Sequence, residues 1–283
     1  MERVLSTHLF VNHHLTAALL DRIQHEGIPA VELFLARQHL DWRNRSQVSE
    51  LGLWFRDAGL RVHSLHLPMH NDEYWGRSGP QSVLDITEPI KSRRIPIVDE
   101  LKRALEVAEK IPCRYAVQHL GVSGQEYSER AVDAAFTVLE ELILFAGHRG
   151  VRILLENIPN ELSSAERLRR FAEITHLDLD FVLDTGHANL REGVPEAFAV
   201  LGERIRSLHV HDNDGQSDQH LFPLVAEGGT IPWPRVMKLL RSRPGQYPLL
   251  LELKEVEGMS KPLDMVKEVF DRLESLPGNG EEA

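Results

Sequence analysis

The chain alternates short apolar runs with longer amphipathic stretches, and it does so eight times. No other feature restricts its fold as strongly. The apolar runs end near Phe10, Leu35, Leu67, His119, Glu156, Asp184, His211 and Leu253. Each is about four to eight residues long and apolar on both sides, the pattern of a strand covered on both faces of a parallel sheet. Stretches at 15–26, 46–58, 97–110, 128–149, 164–175, 195–201, 234–241 and 263–276 read as helices. In the fourth, Val132, Phe136, Leu139 and Ile143 recur at a helical period, with Glu140 and Glu141 on the other side. One unit takes about 35 residues, close to the roughly 30 of a βα repeat. Eight such units predict an α/β chain folded as a single (β/α)8 TIM barrel over 1–276. A doubly wound open sheet is the rival, but no Gly-rich phosphate loop follows the first strand.

Two segments fall outside the minimal repeat. The connection from 68 to 96 carries Tyr74, Trp75, Gly76, Gly79 and Pro80, and a loop of that length in a compact domain is expected to serve as a lid. Residues 277–283 are expected to form a disordered tail.

Composition removes several functional classes. Net charge is −11, from 32 Lys+Arg against 43 Asp+Glu, and there is no long basic run, so nucleic acid is not an expected partner. No apolar stretch approaches the roughly 18 residues of a membrane span. The single cysteine, Cys113, cannot form an internal disulfide and suits the reducing cytoplasm; next to Pro112 it reads as a small buried hydrophobe. Barrels with an outer ring of helices often self-associate, so a homo-oligomer is among the expectations.

Histidine is over-represented, with fifteen in 283 residues, and their positions are not random. His66 ends the third strand, His119 the fourth, Glu156 the fifth and Asp184 the sixth, with His187 just after it. His209, His211 and Asp212 end the seventh, and Glu252 lies in the eighth. In a barrel of this type the carboxyl ends of the strands carry the active site. A lone strand-end histidine is more often a hydrogen-bonded core residue than a ligand. Several carboxylates between apolar neighbours are a different matter, because burying them is costly unless they are paired or bind a metal. Apart from Lys254, no matching cations stand at the strand ends. A divalent cation held by mixed carboxylate and imidazole donors, without thiolate, points to Mn²⁺, Zn²⁺, Co²⁺ or Fe²⁺, with Mg²⁺ admissible. Asp218-Gln219-His220 adds two further donors on one side of an extended segment.

These motifs, in order, are Leu155-Glu156-Asn157, Asp184-Thr185-Gly186-His187, His209-Val210-His211-Asp212-Asn213, Asp218-Gln219-His220 and Leu251-Glu252-Leu253-Lys254. Together they resemble the xylose isomerase-like TIM barrels over essentially the whole chain. That group includes sugar isomerases and epimerases, inosose dehydratases, and apurinic/apyrimidinic endonucleases of the endonuclease IV type. In the sugar-handling branch the resemblance implies one metal held by Glu156, Asp184, His209 and Glu252. His209 is preferred to His211 because it precedes Asp212 by three, as the family pattern does. His187 would contact substrate oxygens, and Glu156 and Glu252 would exchange a proton with the substrate through an enediolate. The expected function is a metal-dependent isomerase or epimerase of a small keto sugar or polyol derivative, with a dehydratase as a near neighbour.

The endonuclease IV branch implies three zinc ions and abasic DNA as substrate. Its extra ligands would be His66, His119, His187, Asp218 and His220. The chain departs from that branch at His66-Leu67-Pro68-Met69, where a Ser-Tyr pair would follow the histidine, and no DNA-inserting loops are recognisable.

Overall fold

Burial explains where the strands sit. In the computed structural model, which describes residues 1–255 and 258–277, the eight runs form parallel strands: β1 (Arg3–Ser6), β2 (Ala30–Phe34), β3 (Arg61–His66), β4 (Tyr115–His119), β5 (Arg152–Glu156), β6 (Asp180–Asp184), β7 (Ile205–His209) and β8 (Leu249–Leu251). Helices alternate with them: α1 (Ala17–His25), α2 (Arg45–Asp57), α3 (Lys91–Leu105), α4 (Glu129–Gly147), α5 (Ala165–Thr175), α6 (Thr185–Asn189), α7 (Val194–Leu201), α8 (Trp233–Arg241) and α9 (Pro262–Ser275). Every residue of β2, β6 and β8 is buried, as a sheet covered by helices outside and packed on itself inside requires. The strands run in the order β7-β6-β5-β4-β3-β2-β1-β8. A parallel bridge between Val210 and Leu251 joins the two ends, with Val210 N–H donating to Leu250 C=O at 2.9 Å and Glu252 N–H to Val210 C=O at 3.2 Å. The result is a nearly closed TIM barrel.

Two register shifts matter for the site. Val31 pairs with Val62 but Glu32 pairs with Ser64, so His63 is an extra residue in β3. Likewise Phe181 pairs with Ile205 but Val182 with Ser207, making Arg206 extra in β7. Each bulge re-phases the rest of its strand: Glu32 comes to lie beside Ser64, and Asp184 beside His209.

The structure corrects several sequence boundaries. β1 stops at Ser6 rather than near Phe10, because Ser6 caps a 3-10 turn, Thr7–Phe10, through its hydroxyl. α3 begins at Lys91 and contains Pro96, so the long connection after β3 ends at residue 90. That connection is also not structureless, since it holds a 3-10 turn at Gly79–Ser82. His211 and Glu252 lie one or two residues beyond their strands. A helix absent from the sequence reading, α6, follows β6 directly, with the Asp184 side chain as its N-cap. Cys113 is partly buried and packs against the main core. The proposed tail, 277–283, lies outside the described residues except for Pro277. Among the described residues no helix is long and apolar enough to cross a membrane.

Candidate metal centre

Parallel strands of similar length bring their carboxyl ends to one rim, and here the six strands β3 to β8 each supply a donor at or just beyond that end. Glu156, from β5, is fully buried at the centre. Its Oε2 lies 3.1 Å from His119 Nε2 and 3.5 Å from His66 Nε2. Its Oε1 lies 3.0 Å from His209 Nδ1. The same His209 nitrogen is 3.2 Å from Glu252 Oε2 and 3.9 Å from Asp184 Oδ2. Glu156, Asp184, His209 and Glu252 therefore place four donor atoms within 4.8 Å of one another, all buried.

Two further donor groups adjoin this one. His66 and His119 share Glu156 with it. On the other side, His187, His211, Asp218 and His220 form a second cluster. His187 Nε2 is 3.1 Å from Asp218 Oδ2, and His220 Nε2 is 3.4 Å from the same oxygen. His211 stacks on His220 with ring centroids 3.9 Å apart, and its Nε2 meets Asp184 Oδ2 at 3.0 Å. His220 sits at φ 50°, a left-handed conformation that a non-glycine residue holds only when its surroundings require it. All of the sequence-derived site residues thus converge on one rim.

The electrostatics follow from burial. Desolvation pushes His209 down, but the carboxylates of Glu156, Glu252 and Glu32 outweigh it and hold its pKa well above the usual range. His187 is likewise pulled down by burial and lifted well above by Asp184, Asp218 and Glu156. His220 is raised to about 9, burial being overcome by Asp218. Burial alone would raise the Glu156 carboxyl; His209 and His119 hold it well below normal instead. The same imidazoles and carboxylates would be matched by cations. Two buried atoms make this concrete: His209 Nδ1 and Glu156 Oε1 have no hydrogen-bond partner although they lie 3.0 Å apart. Orphaned buried polar atoms are costly, and a cation between them satisfies both. The residues present fit a divalent metal.

Three features were not found by sequence reasoning. Glu32, in the middle of β2, is fully buried and lies against His209; a lone Glu inside Ala30-Val31-Glu32-Leu33-Phe34 is the same signal that marked Glu252. His8, in the turn after β1, packs its ring against Phe34, Trp75 and His220, and no pattern in the sequence announced it. Asp212, grouped with the rim residues on sequence, has a structural task instead. It accepts from Trp233 Nε1 at 2.6 Å and from the backbone N–H groups of Asn213, Thr230 and Ile231, which pins the segment between β7 and α8.

Above the donors is a cavity of about 390 Å³. Glu156, His187 and Glu252 form its floor, while Phe34, Met69 and Trp75 form an apolar wall. Met69 and Trp75 come from the long connection after β3, and Gln38 Oε1 accepts the Trp75 N–H at 3.0 Å. No Lys or Arg lines the cavity among the described residues.

Comparison with known proteins agrees with the barrel fold. The family described as the xylose isomerase-like TIM barrel matches residues 20–276. An uncharacterized protein of Methanocaldococcus jannaschii, MJ1614, is 28% identical over 231 residues, covering 80% of this chain and 89% of its own. Among solved structures, the 3-keto-D-glucoside 4-epimerase of E. coli superposes with a TM-score of 0.74 at 15% identity, covering 97% of this chain and 99% of that one. A Thermus thermophilus protein soaked with zinc chloride gives 0.71 at 23% identity, with full coverage of both chains.

Proposed function

The chain belongs to the xylose isomerase-like TIM barrel family, and from that premise we propose that it is a divalent-metal-dependent isomerase or epimerase of a small keto sugar or polyol derivative. The observation that carries this reading is the placement of Glu156 and Glu252, on β5 and after β8, against the same nitrogen of His209 at 3.0 and 3.2 Å. Two carboxylates from different strands at one cation position can serve opposite faces of a bound carbon. A divalent cation held by Glu156, Asp184, His209 and Glu252 supplies Lewis-acid stabilisation of negative charge on substrate oxygens. One glutamate then removes the proton beside the carbonyl and the other returns it. His187 Nδ1–H donates to Asn157 C=O at 3.0 Å and Nε2 meets Asp218 Oδ2 at 3.1 Å, which fixes the ring at the cavity floor, where a substrate hydroxyl would meet it. Trp75 and Met69 exclude water from that exchange. Structural neighbours that are sugar epimerases support the substrate class, as does a cavity at the small end of the range for ligand sites. Loss of a hydroxyl from the same intermediate would make the enzyme a dehydratase. The single partly buried cysteine supports a cytoplasmic setting, and self-association through the helical ring belongs to the same reading.

The test is turnover across a panel of ketoses with Mn²⁺, Co²⁺ or Zn²⁺ added, for the native enzyme and Glu156→Gln. The variant should fold and be inactive. An active variant ends the assignment.

One observation favours a second reading, a trinuclear phosphodiesterase of the endonuclease IV type acting on abasic DNA. Five carboxylates surround the rim (Glu32, Glu156, Asp184, Asp218 and Glu252). With His187 and His220 protonated, one dication leaves one negative charge uncompensated, and three dications with neutral imidazoles leave one positive charge, so charge balance admits three ions as readily as one. The two flanking donor groups are where the extra ions would sit. Elemental mass spectrometry distinguishes the readings: near one metal per chain supports the single-site enzyme. Near three, with incision of an abasic duplex that His220→Ala abolishes, supports the nuclease.

A further inference from the structure

We infer that Glu32 is a positioning residue for the metal centre, acting through His209. The inference rests on the metal-centre reading above and extends it to a strand, β2, that contributes no ligand. Glu32 lies at the middle of β2 with no solvent exposure. Its two oxygens are 3.1 and 3.2 Å from His209 Nε2. The Ser64 hydroxyl donates to Oε2 at 2.7 Å. The bulge at His63 makes this possible, because it sets Glu32 opposite Ser64 rather than His63.

The chemistry is directional. An ionised carboxylate only accepts hydrogen bonds, so the His209 nitrogen facing Glu32 must carry the proton. In the neutral ring that would bind a cation, the lone pair is thereby left on Nδ1, the nitrogen that faces the oxygens of Glu156, Glu252 and Asp184. Glu32 thus sets both which nitrogen donates to the cation and the plane in which the ring is held. It also makes that nitrogen a better donor, since a ring that gives its proton toward a carboxylate gains basicity at the opposite edge. Outer partners of this kind typically account for about 10–100-fold in metal affinity. Ser64 contacts Glu32 and Glu32 contacts His209, which would hold the cation. Neither Glu32 nor Ser64 lines the cavity, so the expected defect is in metal binding rather than in substrate contact.

The experiment uses the full chain stripped of metal with a chelator and titrated with Co²⁺, reading affinity by competition and ligand geometry by the visible absorption spectrum. Glu32→Gln, of the same size and still able to accept from Nε2, should bind the tightest Co²⁺ about 10–100-fold more weakly and shift the spectrum, while unfolding remains cooperative. Ser64→Ala should weaken binding in the same direction by less. A folded Glu32→Gln with native affinity and spectrum overturns the inference. Should Glu32→Gln not fold, Ser64→Ala decides: native affinity and spectrum there overturn it equally. Failure of the underlying reading looks different. It appears as native affinity in His209→Ala, or as no Co²⁺ uptake by the native chain, and either result removes the metal centre and this role together.

Discussion

His187 Nε2 lies 3.1 Å from Asp218 Oδ2, a contact that ties the short helix after β6 to the polar segment after β7. Burial alone would raise the Asp218 carboxyl, but hydrogen bonds from His187 and His220 hold it far below the usual carboxylate range, even though its side chain is 36% exposed. An acid this firmly ionised, facing three imidazoles, is suited to a cation. Replacing Asp218 and His220 together by Ala is expected to leave bound divalent metal at about one ion per chain, held by Glu156, Asp184, His209 and Glu252. Loss of an ion relative to the native protein would place metal at the second cluster and favour the multinuclear reading.

Gly186 is packed so closely against the His211 imidazole that a methyl group there would overlap the ring. His211 in turn steadies Asp184 at 3.0 Å. Gly186→Ala is therefore expected to cost about 1–3 kcal/mol in stability through overpacking and to weaken metal binding by displacing Asp184. Urea unfolding and metal titration check both. Native values for both would show that His211 moves aside freely.

Neither His39 nor His63 lines the cavity, and burial pushes each down to about 4. In the unfolded chain both titrate near 6.5. Below that pH the unfolded state takes up protons that the folded state refuses. Their contribution to stability is thus full above about pH 6.5 and is lost as pH falls toward 4, by roughly 3 kcal/mol each at the low end. Urea unfolding between pH 7.5 and 5 should show a slope about one proton steeper for the native chain than for His63→Gln. Equal slopes would contradict the assigned shift.

Burial pushes the Cys113 thiol up to about 12, so almost no thiolate exists at pH 8. Iodoacetamide should leave the folded protein unmodified over hours at that pH and alkylate it quickly in denaturant. Rapid labelling of the folded chain would mean that the segment before β4 opens readily.

Much of this architecture could be read from residues alone, and the reasons differ by element. The eight apolar runs announced the barrel because strands buried on both faces leave no polar alternation to confuse them. Glu156 and Glu252 stood out because a carboxylate inside an apolar run has few inexpensive explanations. Glu32 satisfies the same criterion. It was hidden because its partner, His209, is 177 residues away, and because the bulge that pairs it with Ser64 leaves no trace in composition. The true phase of β7 was hidden for the same reason: a bulge at Arg206 decides that Asp184 meets His209. Asp212 misled because a strand-end carboxylate looks alike whether it turns to the cavity or to Trp233. His8 depended on a 3-10 turn that ended β1 early, and turns of that kind have no period.

The barrel's ring is joined between β7 and β8 by the bridge of Val210 and Leu251. Directly above that join, His209 stands on one edge and Glu252 on the other, both reaching for the same point. A cation there would be a clasp as well as a reagent. Its binding free energy would add to the cohesion of the two edges, and losing it would loosen the seam. Catalytic readiness and closure of the cylinder would then rise and fall together.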